Sequence, residues 1–452
     1  MGLKMRVMGD DEGARGRPWM ATSCQTWSFV IRSRPPAVFT SSILEEEFRL
    51  VQENCISTKR TIRSVLEMFF TAFVDKNSTA KIRNVFELRY NKVLKGEKKI
   101  RIAMAVTNDL VTDRRVMRHA EALREVGCEV ILIGRKELAV RMKKSWKFYG
   151  EYNVRLLWRL LRTRCDVVWA NDTDTLLACY IASRLKRLKL VMDAHELFPE
   201  VPELVGRERV KRVWETLERR LMPKCDGLLT VCQSIADYYR QKYGVEMSVV
   251  RNIQGERSKV KGERFAGTMK MLLYQGCVNK GRGVDWAIDA LEWLEDCRLV
   301  IAGGGDLLEE MKEYAKSKPW SDRVEFLGRL TPEELERLTP QASVGLVMLE
   351  DMGLSYHFAL PNRIGDFVAA GVPMVVSDLP EMAGVVRKFG VGEVIESEKL
   401  KVKSERCEAK ALAEGVKRVL AREWKEEDFA AARADMNWEK EKKKLIKIIE
   451  TI

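Results

Sequence analysis

Histidine is scarce in this chain, with three among 452 residues, at 119, 195 and 357. Its ten cysteines never form a C-x-x-C pair. Those two shortages argue against a zinc centre, which needs clustered imidazoles or thiolates. Cysteines inside apolar runs, such as Cys165 in CDVVWA, read as buried thiols of a reducing compartment rather than as a disulfide frame. The loop after the first predicted strand (107–115) lacks G-x-G-x-x-G, which disfavours a nicotinamide or flavin dinucleotide site. Long apolar runs are missing too: the best, 65–74, contains Glu67 and is too short to span a bilayer. The first residues, MGLKMRVMGDDEGARG, carry acids and no apolar core, unlike a secretory signal. Arg6 departs from the myristoylation pattern that Gly2 would open. A cytoplasmic protein is expected, with any membrane contact peripheral, on the inner face of the cytoplasmic membrane.

Acidic residues are also in deficit, 66 against 79 Lys and Arg, for a net charge of +13. That excess points to an anionic partner: a phosphorylated substrate, an acidic membrane or nucleic acid. No recognised nucleic-acid module is present, so nucleic acid is not expected. One stretch concentrates the charge. Residues 136–164 hold nine Lys/Arg and two acids, interleaved with Trp146, Phe148, Tyr149, Tyr152 and Trp158. Aromatics on one side of a basic helix predict contact with an anionic membrane surface; a solvated cationic face is the plainer alternative.

What is present in abundance is alternation. Residues 1–97 read as an extension, without periodicity over 1–40 and with helical spacing over 42–95. From 99 onward, short apolar runs alternate with helical patterns, as in KIRIAMAVT (99–107), CEVILIG (128–134) and CDVVWA (165–170). Strands apolar on both faces belong to buried parallel sheets. A polar linker, 255–267, interrupts the series, which then restarts at 270. The expected fold class is therefore α/β. It comprises two Rossmann-like, doubly wound parallel-sheet domains, 98–254 and 268–430, and a last helix within 431–452 that packs back on the first domain.

Ligands of such sheets bind beyond the carboxyl ends of the strands. In the second domain, the loop after strand 270–275 contains Gly276, Lys280, Gly281, Arg282 and Gly283. Its glycines let backbone approach a ligand, and Arg282 suits a diphosphate; a merely flexible basic loop is as good a reading. The GGGD turn places Gly304 and Gly305 before a helix, where an anion or only a tight turn would fit. In ALPNRIGDFVAAGVP (359–373), Pro361 is expected as the first residue of a helix that also carries Asn362. Asp366 on that helix suits ribose hydroxyls, or is a solvated helix acid. In the first domain, Asn108 and Asp113 follow the first strand, Asp172 the third, and His195 and Glu196 the fourth. They are expected on the acceptor side, with His195 able to bind a phosphate or sugar hydroxyl, to shuttle a proton, or simply to serve as a structural histidine.

Over 99–450 the sequence resembles glycosyltransferase family 4, of GT-B fold, and most closely a bacterial surface-polysaccharide subgroup. The likeness lies in ordered segments that include VTDRRVMRHAEALREVGCEVILIGR (111–135), DAHELFPEVPEL (193–204), IAGGGD (301–306) and FALPNRIGDFVAAGVPMVVSDLPEM (358–382). The resemblance implies a retaining transfer of sugar from a nucleotide-sugar donor to a glycan or lipid-linked acceptor, with no metal and no further cofactor. It implies that Arg282 meets the donor diphosphate and Asp366 holds the ribose. His195 would lie near donor sugar and acceptor, and Arg329 and Leu330 along the nucleotide and base. His195, Arg282 and Asp366 form the expected catalytic set. Two positions depart from the pattern: Phe358 stands where the family has the first acid of a pair, and Cys277 where an arginine is expected. A nucleotide-sugar epimerase of the same architecture and a non-catalytic nucleotide-sugar-binding or membrane scaffold protein stand as the alternatives.

Overall fold

The computed structural model describes residues 99–108, 110, 113–142, 146–253, 269–395 and 405–452, all within the unit Lys98–Ile452. The extension 1–97 and the linker 255–267 lie outside the described residues.

The first sheet is built from β1 (Arg101–Ala105), β2 (Glu129–Ile133), β3 (Val167–Asn171), β4 (Lys189–Ala194), β5 (Gly227–Thr230) and β6 (Ser248–Val249). Its order is β2-β1-β3-β4-β5-β6, every pairing parallel. The connecting helices are α1 (Arg114–Glu125), α2 (Trp146–Arg162), α3 (Thr173–Lys186), α4 (Glu208–Leu221) and α5 (Gln233–Tyr243). The direction of chain travel reverses at the β1–β3 boundary. Right-handed crossovers therefore put α1 on one face of the sheet and α2 to α5 on the other. The packing agrees: Tyr152, Leu156 and Leu160 of α2 share a core with Cys179 of α3, Leu221 of α4 and Tyr239 of α5. Val116, Ala120 and Leu123 of α1 belong to a separate core on the opposite side. The leucines and valine among these side chains contribute about 1.5–3 kcal/mol each by leaving water. Helix α1 starts where Asp113 accepts the Val116 amide at 3.0 Å, a cap worth about 1 kcal/mol.

The second sheet has the order β12-β11-β10-β7-β8-β9, again entirely parallel. Its strands are β7 (Lys270–Gln275), β8 (Cys297–Ala302), β9 (Val324–Gly328), β10 (Val344–Val347), β11 (Met374–Ser377) and β12 (Gly392–Ile395). The helices are α6 (Val284–Ala290), α7 (Leu308–Lys316), α8 (Pro332–Leu338), α9 (Leu354–His357), α10 (Asn362–Ala370), α11 (Pro380–Phe389), α12 (Glu405–Ala421), α13 (Ala430–Asp435) and α14 (Trp438–Thr451). Helix α10 ends at Gly371, whose φ of 69° suits glycine at a left-handed cap.

Several expectations need correction. Helical spacing in the sequence runs over 284–294, but the helix ends at Ala290 and tightens into a 3-10 turn, Leu291–Trp293. Pro361 is the cap before α10, in extended conformation, rather than its first residue. Helices α9 and α13, of four and six residues, are too short to show a period and were not expected.

Helix α14 carries the chain back to the first sheet, where Leu445, Ile448 and Ile449 join the core beneath α1. Arg251, just past β6, fastens this return. Its guanidinium donates to Glu441 at 2.8 and 3.0 Å and to Asp435 Oδ2 at 2.7 Å. Glu441 is fully buried. Glu441→Ala would leave Arg251 short of partners in a half-buried site and is expected to cost about 2–3 kcal/mol in denaturant unfolding. An unchanged midpoint would show that the clamp is dispensable.

Candidate active site

The loops after β1, β4, β5, β6 and β7, together with α9 and the start of α10, enclose a cleft of about 570 Å³. Strand carboxyl ends of both sheets thus meet at one place, the position that doubly wound sheets offer a ligand.

The first-domain wall is organised around a carboxylate with no solvent exposure, that of Asp193 at the end of β4. Arg115 of α1 grips it with two bonds, Nη2 to Oδ1 at 2.6 Å and Nε to Oδ2 at 3.0 Å. The third guanidinium nitrogen, Nη1, donates to the Val250 carbonyl at 2.7 Å, past β6. His119 Nδ1 and His195 Nε2 lie 3.2 and 3.3 Å from Asp193 Oδ2. Burial by itself would favour the neutral carboxyl, but Arg115 and His195 hold Asp193 well below the usual carboxylate range. Burial pushes the His119 imidazolium down to about 4, leaving a neutral ring stacked on Trp438 of α14 at 6.0 Å.

His195 sits between two acids. Its Nδ1 is 3.3 Å from Asp172 Oδ2, and its amide donates to Asp172 Oδ1 at 2.7 Å. Burial pushes Asp172 up to about 8. For His195, burial works toward loss of the proton, but Asp172 and Asp193 outweigh it and lift the ring to about 9. The two titrations are coupled, and the charge of Asp193 beside the ring favours the imidazolium. With its side chain 18% exposed at the cleft wall, His195 presents a cation there.

The facing wall comes from the second domain. Gly281 and Gly283, both at positive φ, flank Arg282. A Cβ on Gly281 would lie 2.5 Å from Met352 Sδ, and one on Gly283 2.6 Å from Met348 Cβ. Only glycine lets this turn press against the β10 loop and aim the arginine inward. The Arg282 guanidinium lies 4.7 Å over the Tyr356 ring, and its Nε is buried without a hydrogen-bond partner among the described residues. Asp366, 3% exposed, accepts from Gln275 Nε2 at 2.9 Å, while Gln275 Oε1 accepts from Thr339 at 3.0 Å. Arg363 ties the strand ends together, donating to the carbonyls of Gln275 (3.0 Å) and Met348 (3.2 Å). Pro361 and Asn362 bring the N-terminus of α10 to the cleft, where its dipole favours an anion.

Of the residues expected from sequence, Asn108, Asp113, His195, Glu196, Gly276, Arg282, Pro361, Asn362 and Asp366 line this cleft. Cys277, where an arginine is expected, lines it as well. Asp172, Lys280, Gly304, Gly305, Arg329 and Leu330 do not. Asp172 acts on His195 from behind. Lys280 is exposed. The 303–305 turn is packed against the β7 loop, where a Cβ on Gly303 would lie 1.7 Å from the Gly276 carbonyl oxygen and one on Gly305 2.3 Å from that of Val278. Arg329 packs against Gly304, and Leu330 on the second-domain core. Asp193, Arg115, Gln275 and Arg363 were missed. A polar residue ending an apolar strand, as in LVMD and LLYQ, was the available signal.

Phe358 does not face a ligand. Its side chain, with Leu354 and Leu360, packs on the first-domain core, and its carbonyl accepts from Cys232 Sγ at 3.2 Å. Glu381 of α11 reinforces this latch by accepting the Ser234 amide at the start of α5, 2.8 Å away. Among the described residues, no group of three or more His, Cys, Asp or Glu is placed to hold a metal.

Comparison with known proteins places these features. Residues 112–253 match the family model Glycosyltransferase Family 4, and residues 270–422 match Glycosyl transferases group 1. An uncharacterized glycosyltransferase of Methanocaldococcus jannaschii is 26% identical over 123 residues, a match spanning 26% of this chain and 30% of that relative. Among solved structures, sucrose-phosphate synthase from Thermosynechococcus elongatus superposes with a TM-score of 0.63 at 15% identity, over 78% of this chain and 98% of its own. Anabaena HepE in complex with UDP-glucose gives 0.58 at 12% identity, over 78% and 100%. The lipopolysaccharide outer core galactosyltransferase WaaB gives 0.54 at 14%, over 78% and 99%. At such identities these structures establish the shared fold.

The paired environment of His195 has a measurable consequence. Because its folded pKa is raised, the stabilisation it provides is complete below about 6.5 and is lost as pH rises through about 9. An NMR titration should place the His195 midpoint near 9, and lower in Asp172→Asn. A wild-type midpoint at or below 6.5 would contradict the arrangement.

Proposed function

Because the chain belongs to glycosyltransferase family 4, of GT-B architecture, we propose that it moves a sugar from a nucleotide-sugar donor to a glycan or lipid-linked acceptor, with retention of anomeric configuration, in surface polysaccharide or glycolipid synthesis. The observation behind this reading is Arg282, a guanidinium on the cleft wall held over Tyr356 between two close-packed glycines. A donor diphosphate would be bound by that cation. The N-terminus of α10 would add its dipole, and Asp366, oriented by Gln275, would take the ribose hydroxyls. HepE, of the same fold, is known in complex with UDP-glucose, and WaaB is a galactosyltransferase of the lipopolysaccharide outer core; both support the substrate classes.

In this scheme the first domain supplies the acceptor side. His195, a cation held by Asp172 and Asp193, would stand beside the transferring sugar with Asn108, Asp113 and Glu196. With both ring nitrogens against carboxylates, it would act on a phosphate oxygen through its charge, not as a base at neutral pH. Attack from the same face as the departing diphosphate would then preserve configuration, with a phosphate oxygen accepting the acceptor's proton. The protein's part is positioning and stabilising charge on the leaving group. No metal is required, since Arg282 and helix-end amides would meet that charge.

Arg282→Ala is expected to lower transfer about a hundredfold, the scale for removing one preorganised donor, while the unfolding midpoint stays unchanged. Product analysis should show the anomeric configuration of the donor preserved. Wild-type transfer rates in a folded variant would remove Arg282 from this role.

A further inference from the structure

The large apolar side chains exposed among the described residues all fall between Met142 and Val213, on the first domain. Trp146 is 79% exposed, Trp158 57%, Leu185 66% and Val213 58%; the second domain contributes none. Apart from Met142, which precedes α2, these residues occupy α2, α3, α4 and the segment entering α4, adjacent helices that form the outer layer on one face of the first sheet. Within α2 the division is sharp. Phe148, Tyr152, Leu156 and Leu160 point to the core, while Val154, Trp158 and Leu161 recur at three- and four-residue spacing on the opposite side. The aromatics of 136–164 are therefore split between core and solvent rather than gathered on one face, and the surface extends well beyond that stretch.

The polar residues of the layer are strongly biased to one sign. Lys147, Arg159, Arg162, Arg184, Arg187, Arg209 and Arg212 are exposed beside the apolar residues, against Glu203 and Glu208. Arg162 lies 4.5 Å over the Trp158 ring and Lys147 5.6 Å over Trp146. A guanidinium or ammonium above an indole, with an aliphatic residue alongside, matches the boundary between headgroup phosphates and acyl chains: the cation meets phosphate while the ring enters the apolar edge. Among the described residues no helix is long and apolar enough to cross a membrane. Contact through this layer is therefore with a surface.

We propose that the α2–α3–α4 layer is a docking face for a bilayer rich in anionic phospholipid. Helices in this fold begin at the carboxyl ends of the strands, so Trp146 and Val205 lie toward the cleft rim and Leu161 and Leu185 toward the far end. The face thus runs along the acceptor domain up to the cleft, and a lipid-linked acceptor would reach the active site from the membrane. This last point rests on the transferase reading; the docking face itself does not. Charge complementarity selects the bilayer over its competitors: nucleic acid would not need the indoles and leucines, and a second copy would oppose like charges.

The test is flotation of the full chain with vesicles of phosphatidylcholine alone and with phosphatidylglycerol added, at low and high salt. Binding is expected only with the anionic lipid, weakening with salt, and falling about tenfold in the double variant Trp158→Glu and Leu185→Glu. The same variant should keep its donor affinity in calorimetry, which reports the transferase site separately and confirms folding. Three results would overturn the proposal: no flotation with either vesicle, undiminished flotation of the folded variant, or binding lost to competing RNA. A wild-type dimer abolished by the same substitutions would instead assign the face to self-association and likewise overturn it.

Discussion

Much of the cleft depends on the buried carboxylate of Asp193. An ionised acid taken fully out of water is costly unless surrounded by donors and opposite charge. Here Arg115 meets it with two bonds, and His119 and His195 approach the same oxygen. Through those partners it fixes α1, the end of β4 and, by the Arg115 bond to Val250, the chain leaving β6. His119 extends the reach to Trp438 and hence to the helix that returns from the second domain. The first-domain wall is thus set by one charge, and the cation presented by His195 is a consequence of it.

The second domain solves the opposite problem. Its cleft wall is made of glycines that admit close contacts and of arginines fixed by carbonyls and rings. Arg363 uses its charge internally, closing the ends of β7 and β10. Arg282 lies over the Tyr356 ring at the cleft wall, and like Arg363 it has an Nε without a partner among the described residues. What distinguishes Arg363 is that its Nη groups are committed to strand-end carbonyls. Phe358 fits the same account: with Leu354 and Leu360 it turns a loop of the second domain into a contact with the first, so the position where an acid was expected joins the domains instead.

Much of this was legible in the sequence. The alternation of apolar runs and helical periods located the described strands to within a few residues, most directly where a strand is buried on both faces, as β3 and β10 are. Loops at strand ends could be named, and Arg282, His195 and Asp366 do meet in one cleft. What escaped were pairings between residues far apart in the chain. Arg115 and Asp193 are separated by 78 positions and Gln275 and Asp366 by 91. A lone acid at a strand end carries no mark of its partners. The 303–305 glycines misled for a related reason: they are required by backbone contact with 276–278, and the same residue type serves ligands and tight packing alike.

The central claim is that the second domain offers a pyrophosphate group a site completed by Arg282. Calorimetric titration of the purified full chain with a panel of nucleoside diphosphates and their sugar conjugates tests it most directly. Saturable one-to-one binding of at least one of them, markedly weakened in Arg282→Ala, is the predicted result. No heat of association across the whole panel, or an affinity indifferent to Arg282, would contradict the account.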